Sequence, residues 1–176
     1  MVMSVSDYKN KVLYSSTAGF LIVSILGCIN HFVYQLSGEN PIIGAFVPVN
    51  ESTWEHLKLL FFPFVLYTLA EFIVYGHKIS GFLFSRVTGL LFGLIFIPAA
   101  FYTYTAITEK NFFIADILLY FAAVALSFKI SSKRIVSGTD MNKMRTVPGI
   151  ILIICLTVLF VGFTFYPPSS PLFKSP

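Results

Sequence analysis

Five apolar runs dominate this chain and restrict what it can fold into. They cover residues 14–35, 54–75, 82–105, 112–128 and 148–166, and each is close to the roughly 20 residues that an α-helix needs to cross a bilayer. Only 11% of the 176 residues are charged, against about 25% in soluble domains. Because lipid offers the backbone no hydrogen bonds, spans of this kind fold as helices. The sequence therefore predicts an all-α, polytopic membrane bundle of five transmembrane helices, one domain covering residues 1–176, in the cell membrane.

The distribution of lysine and arginine predicts the orientation of these helices. Nine of the twelve basic residues lie at the amino terminus, in the turn after the second run, at Arg86 near the start of the third run or in the loop expected at 129–146; the other side carries Lys58, Lys110 and Lys174. The positive-inside rule therefore puts the amino terminus in the cytoplasm and the carboxyl terminus outside. Topology accounts for the net charge of +4, so we expect the lipid bilayer as a partner and no nucleic acid. The sequence does not define an oligomeric state.

One polar segment stands out against the apolar background, where the second run begins. It reads Asn50-Glu51-Ser52-Thr53-Trp54-Glu55-His56-Leu57-Lys58 and contains the only tryptophan. Ser52 and Glu55 match the capping-box pattern, which predicts the start of a helix. Glu51, Glu55 and Lys58 fall on one stripe of that helix, where they can form a chain of salt bridges. The segment is the first place to look for a functional site.

The predicted topology brings further polar side chains to the same outer side. His31 lies near the end of the first span and Asp116 near the start of the fourth. Ionisable groups at membrane depth mark functional sites, and burying them singly is costly. We therefore expect one polar cluster of His31, Glu55, His56 and Asp116, in a cup that faces outward and binds a small-molecule ligand. The full set of ligand-binding candidates is His31, Glu51, Glu55, His56, Lys58, Tyr102 and Asp116.

A divalent metal is the cofactor that this cluster would suit. Histidine and carboxylate are ordinary zinc ligands, so the metal-ligand candidates are His31, Glu55, His56 and Asp116. No His-Glu-x-x-His motif supports the assignment. Structural alternatives also stand: Glu55 as a helix cap, His31 hydrogen-bonded to a neighbouring helix, and Asp116 paired with Lys58.

Two other features give structural expectations. The loop at 37–51 holds an apolar patch at 42–49, which we expect to fold back over the outer end of the bundle because free exposure would be unfavourable. Gly89 and Gly93 form a Gly-x-x-x-Gly pattern that predicts close helix packing. Arg86, near the inner end of the third span, is expected to extend to the membrane interface.

The segment at 50–58 also carries a family resemblance. Together with Ser37-Gly-Glu-Asn-Pro41 before it, Phe61-Phe-Pro63 after it and the closing Tyr166-Pro-Pro tail, it resembles an uncharacterised bacterial family of multi-span membrane proteins, a domain of unknown function. The resemblance covers the whole chain and implies a membrane fold. It implies no activity, substrate or catalytic residue.

Three classes of function follow from these features. The first is a binding or transport role, with a small polar ligand in the cup. The second is a membrane-embedded, hydrolase-like enzyme that uses a metal. The third is a structural or accessory membrane subunit. A serine hydrolase is not favoured, because no Gly-x-Ser-x-Gly elbow occurs.

Overall fold

The computed structural model describes residues 5–138 and 146–175 and contains helices but no strand in these ranges. In chain order the helices are α1 (Val5–Leu36), the short α2 (Pro41–Gly44), α3 (Thr53–Val74), α4 (Phe82–Thr108), α5 (Phe113–Ser137) and α6 (Thr146–Phe165). Single 3₁₀ turns cover Gly76–Lys78 and Pro171–Phe173. All of the α-helices except α2 are long and apolar enough to cross a membrane. The prediction of an all-α bundle with five candidate membrane spans is confirmed.

The prediction of a loop at 129–146 is wrong for the first half of that range. Helix α5 continues through Lys129 and Lys133 to Ser137, and ends at Gly138, whose φ of +68° is left-handed. Lysine is a good helix former, and its long side chain can reach polar surroundings from a helix inside the membrane. A charged residue therefore ends an apolar run without ending the helix. Residues 139–145 lie outside the described part of the chain.

Helix α3 is the most buried of the candidate spans and forms the centre of the core. Leu60, Phe61 and Phe64 on this helix are almost fully buried, together with Leu90 of α4 and Phe160 of α6. The ring of Phe61 lies 4.7 Å from that of Phe160, centroid to centroid. Large aromatic side chains thus fill the space between α3 and its neighbours.

The predicted packing role of Gly89 and Gly93 is confirmed. A Cβ atom added at Gly89 would lie 2.3 Å from the carbonyl oxygen of Ser127, and one at Gly93 would lie 2.1 Å from the Ser127 hydroxyl. Both contacts join α4 to α5. Only a residue without a side chain lets the two helices approach this closely.

Arg86 does not extend to the interface as expected. It is fully buried, and its Nη2 atom lies 2.6 Å from Oε1 of Glu71 and 3.0 Å from the Ser16 hydroxyl. Its Nη1 atom donates to the Ser131 hydroxyl at 2.9 Å. Tyr75 donates to the same Glu71 oxygen at 2.7 Å. Because a buried cation requires a paired anion and further acceptors, this network from α1, α3, α4 and α5 holds Arg86 inside.

Candidate functional site

A cavity of about 670 Å³ lies among α1, α3, α4 and α5 at the end of the bundle where residues 37–52 connect α1 to α3. We call this the loop end. The walls are mostly apolar, and the polar groups that line it are Cys28, His31, Glu51, Thr53, His56, Asn111, Asp116 and Tyr120. An apolar cavity with a few converging polar groups is the usual form of a small-molecule site.

Three of the polar groups meet at one point, and we call them the His–Glu–His cluster. His31, Glu51 and His56 each offer one ligand atom, and these atoms all lie within 4.8 Å of one another. Nε2 of His56 lies 3.4 Å from Oε2 of Glu51. The rings of His31 and His56 are 5.3 Å apart between centroids and tilted by 37°. Both histidines are half-buried and Glu51 is exposed, so the cluster is accessible at the surface of the bundle.

The local sequence explains how His56 and Glu51 are held. Nδ1 of His56 lies 2.9 Å from the backbone carbonyl oxygen of Ser52. Because a carbonyl only accepts hydrogen bonds, the neutral ring carries its proton on Nδ1 and presents the lone pair of Nε2 toward Glu51. Asn50 accepts a hydrogen bond from the Ser52 amide at 2.9 Å, and the Ser52 hydroxyl caps α3 at the Glu55 amide, 3.3 Å away. These bonds define the bend that carries Glu51.

The spacings of the cluster suit a tetrahedral metal ion. On an ion with bonds of about 2.0–2.1 Å, two ligand atoms lie about 3.3 Å apart and two imidazole centroids about 5 Å apart. The observed 3.4 Å from His56 to Glu51 and 5.3 Å between the rings are close to these values. The exposed Glu51 carboxylate can rotate to complete the set. Two histidines and one glutamate can therefore hold one ion with its fourth position open.

Asp116 lines the same cavity but is not a member of the His–Glu–His cluster. Its Oδ1 atom accepts a hydrogen bond from the Tyr104 hydroxyl. The Asn111 side chain lies 3.0 Å from the same hydroxyl. The alternative pairing of Asp116 with Lys58 is wrong, because the Lys58 ammonium is paired with the Glu55 carboxylate.

Glu55 was expected in the polar cluster with the two histidines, and Lys58 was expected among the ligand-binding residues, but the structure places both elsewhere. Their side chains form a buried ion pair, with Nζ 2.7 Å from Oε2 of Glu55. Nζ also donates to the carbonyl oxygens of Gly44 at 2.8 Å and Val47 at 3.2 Å. Successive helical residues point about 100° apart, so His56 faces the cavity while Glu55 faces the 37–52 loop.

Glu55 also departs from the predicted capping box. Its carboxylate accepts from the Val49 amide at 3.0 Å and from the Thr164 hydroxyl of α6 at 3.1 Å, whereas the box would direct it to the Ser52 amide. Asn50 already occupies that amide. The Glu55 carboxylate therefore links the loop and α6 to its own helix, α3.

Tyr102, the remaining ligand-binding candidate, is not among the described residues that line the cavity. Its hydroxyl lies 3.5 Å from the Thr53 hydroxyl. Tyr104, two positions further along α4, holds Asp116 instead. Sequence reasoning missed Tyr104 because both tyrosines lie near the end of the same span and nothing in the sequence shows which one faces α5.

The 37–52 loop folds back over the bundle in part. Gly44, Ala45 and Val47 are buried, whereas Ile42 and Phe46 are exposed. The prediction that the loop covers the bundle therefore holds for the buried part around Gly44 and Val47, whose carbonyl oxygens bind Lys58. The exposed half adds apolar surface at the loop end.

Nothing in the sequence indicated a role for Tyr120. Its hydroxyl lines the cavity and donates to the carbonyl oxygen of Val23 at 2.9 Å. A Cβ atom at Gly27 would lie 1.8 Å from this hydroxyl, so Gly27 makes room for it. The spacing in the sequence could have indicated its position, because Tyr120 follows Asp116 by one helical turn and so lies on the same face of α5.

Part of the chain is similar to known proteins, and the whole chain matches a family model. Over 118 residues the chain is 32% identical to heme A synthase from Ehrlichia ruminantium strain Gardel and 31% identical to that from strain Welgevonden. Each match covers 58% of this chain and 32% of the relative, so the chain spans about a third of the length of the curated relatives it matches. No solved structure matches. The model of a family of unknown function, DUF6512, matches residues 2–176, and the chain therefore belongs to the DUF6512 family.

Proposed function

We propose that this chain is a membrane protein that binds a divalent metal ion through His31, Glu51 and His56 and presents it to a small polar ligand. The observation that carries the proposal is the His–Glu–His cluster, whose 3.4 Å and 5.3 Å spacings suit tetrahedral coordination. Two nitrogens and one carboxylate oxygen are typical of zinc and similar ions. A set of three protein ligands leaves one position for an exogenous ligand.

The adjoining cavity supports the ligand-binding part of the proposal. Its volume of about 670 Å³ falls within the roughly 300–1,000 Å³ of small-molecule sites. The ion would bind a carboxylate, phosphate or hydroxyl group of the ligand at its open position. The apolar walls, which include Phe32, Leu59 and Phe101, would enclose the rest of the molecule.

Metal-dependent hydrolysis is the second candidate, and Asp116 is the observation that favours it. Sets of two histidines and one glutamate hold catalytic zinc, which lowers the pKa of bound water to about 7. Asp116 lines the same cavity and its carboxylate is oriented by Tyr104. A carboxylate in that position could accept the proton of the attacking water.

The similarity to heme A synthases makes a tetrapyrrole another candidate ligand for the two histidines. Two imidazoles on opposite faces of one haem iron have centroids about 6 Å apart, with the flat macrocycle between them. The 5.3 Å separation of the rings is shorter, and the Glu51 carboxylate lies 3.4 Å from His56. The donor set therefore favours a single ion, and the visible absorption of the purified protein separates the two.

We further propose that residues 1–176 form one domain in the cell membrane, with the loop end outside. The support is the segregation of the basic residues to the opposite end. An outward-facing cluster would take its metal and its ligand from the medium.

The proposal predicts a defined metal stoichiometry, which elemental analysis and a cobalt titration can measure. Protein purified in detergent is stripped with a chelator and titrated with Co²⁺, whose visible absorption reports tetrahedral coordination. We expect about one ion per chain. The changes His31→Ala, His56→Ala and Glu51→Gln should each weaken binding by at least about tenfold, since even second-shell changes cost 10–100-fold.

His77→Ala is the matched control for the titration. His77 is exposed at the other end of the bundle, and its Nδ1 lies 3.0 Å from the carbonyl oxygen of Phe72. This variant should bind Co²⁺ like the wild type. Absence of binding by the wild type would overturn the proposal, and so would equal losses in His77→Ala and His56→Ala. If the cluster variants lower only thermal stability, the cluster is structural.

A further inference from the structure

A second cavity, of about 440 Å³, lies between α1 and α5 near the end of the bundle opposite the loop end. We call it the α1–α5 groove. Leu13 and Phe20 of α1 and Phe128 and Val136 of α5 make its walls mostly apolar. Both helices are candidate membrane spans, so an acyl chain of the bilayer has the right chemistry to fill the groove.

Two lysines give the groove a positive rim. Lys129 and Lys133 both line it and both are exposed. They are four residues apart on α5, which puts them on one face of the helix. The salt bridges found among the described residues involve other side chains. The two ammonium groups are therefore available to an external anion.

The lining of the groove also contains two buried serines. Ser16 and Ser132 line the cavity, and their hydroxyl oxygens are 2.6 Å apart. Arg86 donates to Ser16 at 3.0 Å and to Ser132 at 3.3 Å. The guanidinium thus lies one hydrogen bond behind the groove, and its Nη atoms point toward that side. The groove combines an apolar channel, an exposed basic rim and a polar lining of two serine hydroxyls held by Arg86.

We propose that the α1–α5 groove binds an anionic phospholipid, with the phosphate between Lys129 and Lys133 and an acyl chain along the apolar walls. Basic pockets between membrane-spanning helices recognise anionic head groups in this way. A soluble phosphate would satisfy the lysines but leave the apolar walls uncovered. The groove and the His–Glu–His cluster lie at opposite ends of the bundle, so this inference does not depend on metal binding.

Native mass spectrometry of detergent-solubilised protein tests the proposal. The wild type is incubated with equal amounts of phosphatidylglycerol and phosphatidylcholine that carry the same acyl chains. We expect one retained phosphatidylglycerol in clear excess. Each lysine near an anionic lipid contributes about fivefold to binding, so Lys129→Gln with Lys133→Gln should weaken the retained lipid about 30-fold.

The matched control removes two other lysines from the same end of the bundle. Lys9→Gln with Lys78→Gln changes the net charge equally and leaves the groove intact, so it should retain the lipid. Ala125→Trp provides a second test, because Ala125 is exposed and lines the groove, and the larger side chain should exclude the acyl chain while both lysines remain.

Three outcomes would overturn the proposal. One is equal retention of the two lipids by the wild type. Another is an equal loss in the Lys9/Lys78 and Lys129/Lys133 variants, which would indicate a general charge effect. The last is full displacement of the lipid by glycerophosphoglycerol, the soluble head group, at matched concentration, which would assign the site to a free phosphate.

Discussion

Arg86 and Lys58 are the largest of the fully buried side chains among the described residues, and each lies in a candidate membrane span. An unpaired charge at such a position would be very unfavourable. Each cation is therefore matched with one buried carboxylate, Glu71 for Arg86 and Glu55 for Lys58, and with further oxygen acceptors. The two pairs join different parts of the molecule, one at each end of the bundle.

Lys58→Met should strongly destabilise the folded protein. Methionine keeps most of the apolar part of the side chain but lacks the ammonium group, so the Glu55 carboxylate is buried without its cation and two loop carbonyls have no donor. Removing one partner of a buried pair costs about 3–5 kcal/mol. The free energy of unfolding, measured by SDS titration in mild detergent, gives the value.

Two further variants make the Lys58 test specific. Lys110→Met changes an exposed lysine and should alter stability by less than about 0.5 kcal/mol. Adding Glu55→Gln to Lys58→Met should recover part of the loss, because the uncompensated charge is then gone. Equal stability of the Lys58→Met and Lys110→Met proteins would contradict the role assigned to the pair.

The contact between helices α4 and α5 depends on two small residues of α4. At Gly89 the nearest atom to an added Cβ is a backbone oxygen, that of Ser127 at 2.3 Å. A backbone atom cannot move aside as a flexible side chain can. The two helices must therefore separate if any side chain is placed at this position.

Gly89→Ala should destabilise the bundle by about 1–3 kcal/mol, the usual cost of overpacking. Gly162→Ala is the control, because Gly162 lies in α6 and has nothing within 4 Å of an added Cβ. Alanine favours a helix over glycine by up to about 1 kcal/mol, so the control should be neutral or slightly more stable. Thermal unfolding in detergent measures both, and a Gly89→Ala protein as stable as Gly162→Ala would refute the close approach.

The arrangement of α3 decides which polar side chains of the 50–58 segment share a site. His56 faces the cavity and α1, whereas Glu55 and Lys58 face the loop and α6. Trp54 packs against Phe160 of α6 and Phe173 of the tail, with ring centroids 4.7 and 4.9 Å apart. One helical turn thus supports the candidate site on one side and the closure of the loop end on the other.

The five candidate spans predict a topology for the whole molecule. An odd number of spans puts the two termini on opposite sides of the membrane, and the excess of basic residues indicates a cytoplasmic amino terminus. A reporter fused after Pro176 should therefore report the outside, and one inserted at 139–145 should report the cytoplasm. Detection of both reporters on the same side would contradict the five-span topology.

The amino-acid sequence by itself determined the class of this fold. Apolar runs of about 20 residues can satisfy their backbone in lipid only as helices, so the count and approximate position of the spans follow from composition along the chain. The cap at Ser52 and the close packing at Gly89 also follow from local patterns, because capping and small-residue packing depend on neighbours along one helix. The same local reasoning marked the 50–58 segment as the place to look for a site.

Only the tertiary structure decided which of the marked side chains meet. His31 and Glu51 reach His56 because α1 packs beside α3, while the loop draws Glu55 and Lys58 away from that cavity. Arg86 finds Glu71, Ser16 and Ser131 on three other helices, and no spacing in the sequence indicates those partners. The rotation of each helix about its axis sets these contacts, and in a chain that is apolar on all faces the hydrophobic pattern does not specify that rotation.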